Sequence, residues 1–121
     1  TQVVYVAGST SLAILEMLIQ LQVPDFLARY VVFEVTFAPT LVQVLSLARL
    51  PKGWRQSPPA DTVRNLGDAW LADAASAVLQ VPSAVVPNEW NYLLNPEHPD
   101  FKRIAIGPRQ PIEFDERLLR P

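Results

Sequence analysis

The sequence predicts a single compact domain that combines α-helix with β-strand. Its 121 residues fit one domain of ordinary size and are enough to bury a hydrophobic core. Half of the residues are hydrophobic, a larger share than disordered chains carry. Segments with strand-like patterns are interleaved with two helix-like segments, and no repeat or linker divides them. We therefore expect one α+β domain over residues 1–121.

The first half of the chain predicts two strands on either side of an apolar helix. The segment QVVYVA, residues 2–7, is rich in β-branched and aromatic residues, which is typical of a strand. Ser9 is a suitable N-cap for a helix that runs to about Gln22. Residues 29–37 alternate between apolar and polar and predict a second strand. Residues 41–50 remain ambiguous by periodicity.

The second half predicts one more helix and several short strands. Asp61 can cap a helix over about Thr62–Ala74, after a loop rich in proline and glycine. Residues 76–86 contain a strand that a proline interrupts. Beyond it we expect mostly loop, with short strands near 102–107 and 111–114.

Composition excludes several classes of function. Ten basic against twelve acidic residues give a net charge of -2, which provides no electrostatic surface for nucleic acid or an anionic membrane. No apolar run reaches the roughly 18 residues of a spanning helix. The chain has no cysteine and one histidine, so zinc sites built from several such ligands are excluded. We expect no direct nucleic-acid binding, no membrane insertion and no metal.

A serine hydrolase is the first catalytic alternative that the residue types permit. Ser83, His98 and Asp100 supply a hydroxyl, an imidazole and a carboxylate. The nucleophile-elbow motif of such enzymes is missing, so the sequence disfavours this interpretation.

Glu16 is the most unusual single residue, because it interrupts the apolar segment SLAILEMLIQL. Such a helix is expected deep in a core, where an ionised carboxylate is unfavourable unless it is paired. On a helical wheel Glu16 falls near Ser9 and Gln20, and the pattern alone favours a thin solvated face. The functional alternative is a catalytic carboxylate at the floor of a cleft.

Three further candidates have an ordinary structural interpretation when each is taken singly. Tyr5 in an apolar strand is typical of packing, and Ser83 after a proline is typical of a turn. Asn91 begins the segment NYLLNP, where asparagine and proline are common turn residues.

Read together, four segments resemble the RES domain family, the toxin components of bacterial toxin–antitoxin pairs. These segments are VVYVAGSTSLAILE (3–16), LPKGWR (50–55), LGDAWL (66–71) and VPSAVVPNEWNYLLNPEHPDF (81–101). The resemblance implies a fold like that of ADP-ribosyltransferase toxins, a mixed α/β core around an NAD-binding cleft.

The resemblance also implies which residues form the site. Glu16 matches the motif glutamate, and Ser83 matches the motif serine, which we assign as catalytic. Tyr5 matches a tyrosine of the same pocket, and we assign it to NAD binding together with Asn91. The motif arginine normally precedes the VVY strand, and none of the eight arginines here lies in that context. We therefore expect either that an N-terminal segment is missing from this sequence or that the member is shortened.

The activity implied is cleavage of the bond between nicotinamide and ribose of NAD, with water, phosphate or a protein group as acceptor. That reaction makes the sugar oxocarbenium-like, and a nearby carboxylate can stabilise the developing charge. NAD would be a substrate, and neither a cofactor nor a metal is required. The implied partners are a cognate Xre-like antitoxin and a second copy in a homodimer, in the cytoplasm. Two alternatives stay open: an ADP-ribosyltransferase that modifies a protein, and a catalytically silent antitoxin-binding module.

Overall fold

The computed structural model describes residues 3–20, 31–45, 50, 52–55, 61–111 and 117. It contains eight strands and two α-helices within these ranges. In chain order they are β1 (Val4–Ala7), α1 (Thr10–Gln20), β2 (Val31–Val32), β3 (Val35–Thr36), β4 (Val42–Val44), α2 (Asp61–Asp73), β5 (Val78–Pro82), β6 (Trp90–Leu94), β7 (Ala105–Ile106) and β8 (Gln110–Pro111). Short 3₁₀ helices span Pro39–Leu41 and Pro99–Arg103.

A four-stranded sheet in the order β1-β6-β5-β4 organises the molecule. β6 is antiparallel to both β1 and β5, whereas β4 joins β5 in parallel. Two smaller antiparallel ladders pair β2 with β8 and β3 with β7. The predicted mixed α/β class is confirmed.

The two faces of the central sheet carry different side chains. Side chains alternate between faces along each strand, so Val78 and Leu94 share one face while Tyr5 and Asn91 share the other. The first face carries the main hydrophobic core, formed by Leu41, Ala77, Val78, Leu94 and Ile104 with partly buried residues around them. Phe37 and Tyr92 add an edge-to-face ring contact, with centroids 5.5 Å apart. The second face is the one that α1 approaches.

Helix α1 begins where the sequence predicts but lies closer to the surface than expected. The Ser9 hydroxyl accepts a hydrogen bond from the Leu12 amide at 3.1 Å, which confirms Ser9 as the N-cap. Leu12 is buried, whereas Leu15 is 43% exposed. The expectation of a deeply buried helix is therefore wrong, because only one side of α1 packs on the sheet.

Two other elements differ from the sequence-based predictions. The expected single strand over 29–37 is two short strands, β2 and β3, which pair with different partners. Helix α2 agrees with its prediction within one residue at each end, and it stops at Asp73, where Ala74 adopts a left-handed conformation with φ of 48°. Trp90–Leu94, expected to be loop, is a strand of the central sheet. The predicted end of α1 near Gln22 and the predicted strand 111–114 beyond Pro111 lie outside the described residues.

None of the helices in the described ranges is both long enough and apolar enough to cross a membrane.

Candidate active site

The carboxylate of Glu16 is held by two side chains from the central sheet. Its Oε1 accepts a hydrogen bond from the Ser83 hydroxyl at 3.0 Å and another from Asn91 Nδ2 at 2.7 Å. Glu16 itself is half-buried. Its second oxygen, Oε2, has no hydrogen-bond partner among the described residues. Within the described residues the carboxylate is thus fixed through one oxygen, and no hydrogen bond engages the other.

Asn91 connects this carboxylate to Tyr5. The same Nδ2 that donates to Glu16 also donates to the Tyr5 hydroxyl at 2.8 Å. Asn91 is fully buried, and its Oδ1 has no partner within the described part of the chain. Because a carboxylate only accepts, the amide nitrogen must be the atom that faces Glu16, which fixes the orientation of the amide.

Tyr5 has a buried hydroxyl and an exposed ring. The residue is 55% exposed overall, while its hydroxyl oxygen reaches the buried amide of Asn91. Desolvation of that hydroxyl, with a further contribution from the negative charge of Glu16, raises the pKa of Tyr5 to about 12. The hydrogen bond from Asn91 acts in the opposite direction. Tyr5 is therefore a neutral phenol at physiological pH and a hydrogen-bond donor.

Ser83 is a buried residue whose hydroxyl uses its full hydrogen-bonding capacity. It donates to Glu16 and accepts from the amides of Val85 and Val86, both at 3.1 Å. The two amides belong to the loop that connects β5 with β6, so the turn itself orients the hydroxyl. In this arrangement Ser83 supports the carboxylate, and its hydroxyl proton is not free for another acceptor.

The strand register explains why these residues meet. Tyr5 pairs with Leu93 and Ala7 with Asn91, so Tyr5 and Asn91 are diagonal neighbours on the same face. Gly8 then lets the chain pass close to β6: its amide donates to the Trp90 carbonyl at 2.9 Å, and a Cβ at this position would lie 2.8 Å from the same oxygen. This turn places α1, with Glu16, above the two side chains.

The serine-hydrolase arrangement is not assembled in the structure. The Ser83 hydroxyl contacts Glu16, while His98 Nδ1 accepts from the Asp100 amide at 3.0 Å and caps the second 3₁₀ helix. His98 therefore has the structural role that is common for a lone histidine. Within the described residues, no group of three or more histidine or acidic side chains is arranged to hold a metal ion.

A small cavity lies beside the β5–β6 loop. It has a volume of about 190 Å³ and is lined by Trp54, Arg55, Ser83 and Trp90, among others. Arg55 Nε donates to the Ala84 carbonyl at 3.3 Å, so Arg55 contacts the loop that carries Ser83. Trp90 precedes Asn91 by one residue and projects from the opposite face of β6, whereas Ser83 lines this cavity and also donates its hydroxyl hydrogen to Glu16.

All four residues that the sequence analysis assigned to the site lie in one hydrogen-bonded group, which we name the Glu16 cluster: Tyr5, Glu16, Ser83 and Asn91. Their catalytic and binding roles remain predictions. The sequence analysis did not predict that the loop amides of Val85 and Val86 donate to the Ser83 hydroxyl. A serine that follows a proline at a strand break, two residues before an apolar pair, is a recognisable signal for such a turn.

Comparison with known proteins shows the family of the chain. The model of the RES domain matches residues 1–115. The chain belongs to the RES domain family. It is 36% identical over 117 residues to "Toxin Res" of Yersinia enterocolitica, an alignment that covers 95% of this chain and 76% of that protein. It is 34% identical over 118 residues to "Toxin Res" of Photorhabdus laumondii, covering 97% and 76%.

A third relative has a more specific name. "Prs ADP-ribosylating toxin" of Sphingobium sp. strain YBL2 is 34% identical over 122 residues, an alignment that covers 98% of this chain and 75% of that protein. These relatives confirm the predicted membership in a toxin family.

Proposed function

We propose that this RES domain is a toxin that consumes NAD by cleaving the bond between nicotinamide and ribose. With water as acceptor, NAD and water give ADP-ribose, nicotinamide and a proton. The observation that carries the proposal is the carboxylate of Glu16, fixed through one oxygen by Ser83 and Asn91, with no partner for the other oxygen among the described residues. It lies beside the exposed ring of Tyr5, a suitable surface for a planar ligand.

The geometry suits a reaction that develops positive charge on a sugar. As nicotinamide leaves, the ribose becomes oxocarbenium-like, and a carboxylate held in place beforehand stabilises that charge without reorganising. Oε2 of Glu16 is the atom that would face the ribose. Ser83 and Asn91 both donate to Oε1, so they fix the direction of the carboxylate.

The Tyr5 ring provides the surface on which nicotinamide would stack. Its phenol stays neutral, so the cationic nicotinamide ring meets a neutral aromatic face and the one negative charge of the cluster is Glu16. Because nicotinamide leaves as a neutral base, the step requires neither a metal nor a cofactor.

The test is to incubate the purified chain with NAD and separate the products by chromatography, with and without inorganic phosphate. We expect nicotinamide to appear in step with ADP-ribose if water is the acceptor, or with phosphorylated ADP-ribose, only in phosphate, if phosphate is. A folded protein that releases no nicotinamide under either condition would contradict the proposal.

Transfer of ADP-ribose to a protein is the second candidate, and the name of the Sphingobium relative favours it. The same cleavage would then use a target side chain in place of water. NAD labelled in its adenylate half separates the two: the label stays on protein in a transfer reaction and remains in small molecules in hydrolysis or phosphorolysis.

A catalytically silent antitoxin-binding module is the third candidate, and it would bind its partner without consuming NAD.

We propose a cognate antitoxin of the Xre-like kind and a homodimer as the partners, acting in the cytoplasm. Apolar side chains exposed on the edge strands β1 and β4, including Val4 and Val44, offer surface for such contacts. Trp70 is buried and therefore offers no such surface, and its Nε1 donates to the Ser76 hydroxyl.

A further inference from the structure

We infer that Asn91 is a positioning residue that fixes Glu16 and Tyr5 together, and that it does not itself contact NAD. The inference rests on the proposed function and changes the role that the sequence suggested for this residue. Asn91 is 0% exposed, so its side chain has no surface to offer a substrate in this structure.

The chemistry of the amide explains why asparagine stands here. One NH₂ group carries two hydrogens, and they reach two different acceptors, Glu16 Oε1 at 2.7 Å and the Tyr5 hydroxyl at 2.8 Å. A hydroxyl has one hydrogen and can serve only one of these acceptors. A carboxylate has none and would repel Glu16.

The unpaired carbonyl of Asn91 supports the same conclusion. A buried polar atom without a partner is unfavourable, and Oδ1 is such an atom within the described residues. A residue selected only for packing at this position would be apolar, as Leu79 and Leu94 are at other buried positions of the sheet. Asparagine here supplies the two donors at the expense of one unpaired acceptor.

The arrangement also determines what Tyr5 can do. Because the phenol oxygen accepts from Asn91, its own hydrogen is directed away from that amide. The Tyr5 hydroxyl thereby keeps its hydrogen for an acceptor other than Asn91. One buried amide thus sets the direction of both groups that would face the substrate.

The substitution Asn91→Asp tests this role, since it keeps the shape and exchanges the two donors for an acceptor. The titratable groups that the Asn91 side chain bonds are Glu16 on α1 and Tyr5 on β1. Tyr92 projects from the other face of β6, and β5 is followed by the non-titrating Ser83 hydroxyl. Two carboxyls at hydrogen-bond distance share one proton when the pH is low enough, and the shared proton restores the bond to Oε1. We expect kcat to fall roughly 10- to 100-fold at pH 8 and to recover as the pH is lowered toward 5.

Asn91→Leu is the matched variant, because it has the same side-chain branching and heavy-atom count and cannot regain a donor at any pH. It should lose a similar factor in kcat, with KM nearly unchanged and no recovery at low pH. If both variants retain near-normal kcat, or if they show the same pH profile as each other, the positioning role is wrong.

A measurement on the wild-type fold does not depend on either variant being stable. In a ¹⁵N-resolved spectrum the Asn91 side chain should give two NH₂ resonances that exchange slowly with water. Tyr5→Phe should shift one of them strongly and Glu16→Gln the other. Rapid exchange of both, or no response to these substitutions, would overturn the inference even in a protein that consumes NAD. Absence of NAD turnover with the expected spectrum would instead remove only the proposed function.

Discussion

Asn91 Nδ2 lies 2.7 Å from Oε1 of Glu16, so a hydrogen bond joins strand β6 to helix α1 across 75 positions of sequence. The bond is charge-assisted, which makes it stronger than a bond between neutral groups. Together with the bond from Ser83, it holds the carboxylate on one side only. Glu16, a charged residue in an otherwise apolar helix, is thus hydrogen-bonded to the central sheet and to the loop that follows β5.

Removal of the Ser83 hydroxyl should weaken both the fold and the site. Ser83→Ala leaves the amides of Val85 and Val86 without their acceptor and Glu16 without one donor. We expect a loss of about 1–3 kcal/mol in the free energy of unfolding, measured by urea denaturation, and a lower kcat for nicotinamide release. Ser11→Ala, at an exposed position on α1, is the control and should change neither. Equal behaviour of the two variants would show that the Ser83 bonds contribute nothing.

The raised pKa of Tyr5 predicts how stability depends on alkaline pH. Between about pH 10 and about 12 the unfolded chain releases the Tyr5 proton while the folded chain retains it, so stability should decline as pH rises through this window. Absorbance of the phenolate measures the ionisation directly, and Tyr5→Phe identifies the component that belongs to Tyr5.

The Glu16 charge contributes to that shift, so Glu16→Gln should move the Tyr5 midpoint downward. Desolvation is the larger cause and would remain. A Tyr5 component that titrates near 10 in the folded wild type would show that its hydroxyl is neither desolvated nor close to the Glu16 charge.

Two glycines should respond in opposite directions to the same substitution. A Cβ at Gly8 would lie 2.8 Å from the Trp90 carbonyl, which is backbone of a central strand and cannot yield easily. A Cβ at Gly67, inside α2, meets nothing within 4 Å. We expect Gly8→Ala to lower the unfolding midpoint, whereas Gly67→Ala should raise stability by about 0.5–1 kcal/mol through helix propensity. Loss of stability in Gly67→Ala and not in Gly8→Ala would contradict the close contact between Gly8 and the Trp90 carbonyl.

Local signals predicted much of the first half of the fold. Strand β1, the cap at Ser9 and the start of α1 follow from short-range patterns, and the structure agrees with them. Helix α2 forms despite Gly67, because the remaining positions favour helix and the glycine lies in open space.

The elements that the sequence predicted poorly depend on pairing with distant segments. The apparent strand over 29–37 divides because β2 and β3 pair with β8 and β7, and the Gly107 amide donates to the Glu34 carbonyl at 2.7 Å between them. β6 carries turn-forming asparagine, yet it becomes a strand because β1 and β5 bond it on both sides. No local sequence pattern indicates which distant strands these segments pair with.

Only the resemblance to the RES domain family predicted the site residues from the sequence. Periodicity favoured a solvated face for Glu16 and a simple turn for Ser83, and nothing local links Glu16 with residues 67 and 75 positions away. The hydrogen bonds between them require the sheet register and the turn at Gly8, both of which are properties of the whole fold.

The most direct test of the account is nicotinamide release from NAD by the wild type, by Glu16→Gln and by Glu97→Gln. Glu97 is an exposed glutamate outside the Glu16 cluster, so its substitution makes the same chemical change without touching the carboxylate at the proposed centre. We predict release by the wild type and Glu97→Gln at equal rates, and a loss of at least about 100-fold in a folded Glu16→Gln. Near-normal turnover by Glu16→Gln would contradict the central claim that this carboxylate stabilises the transition state.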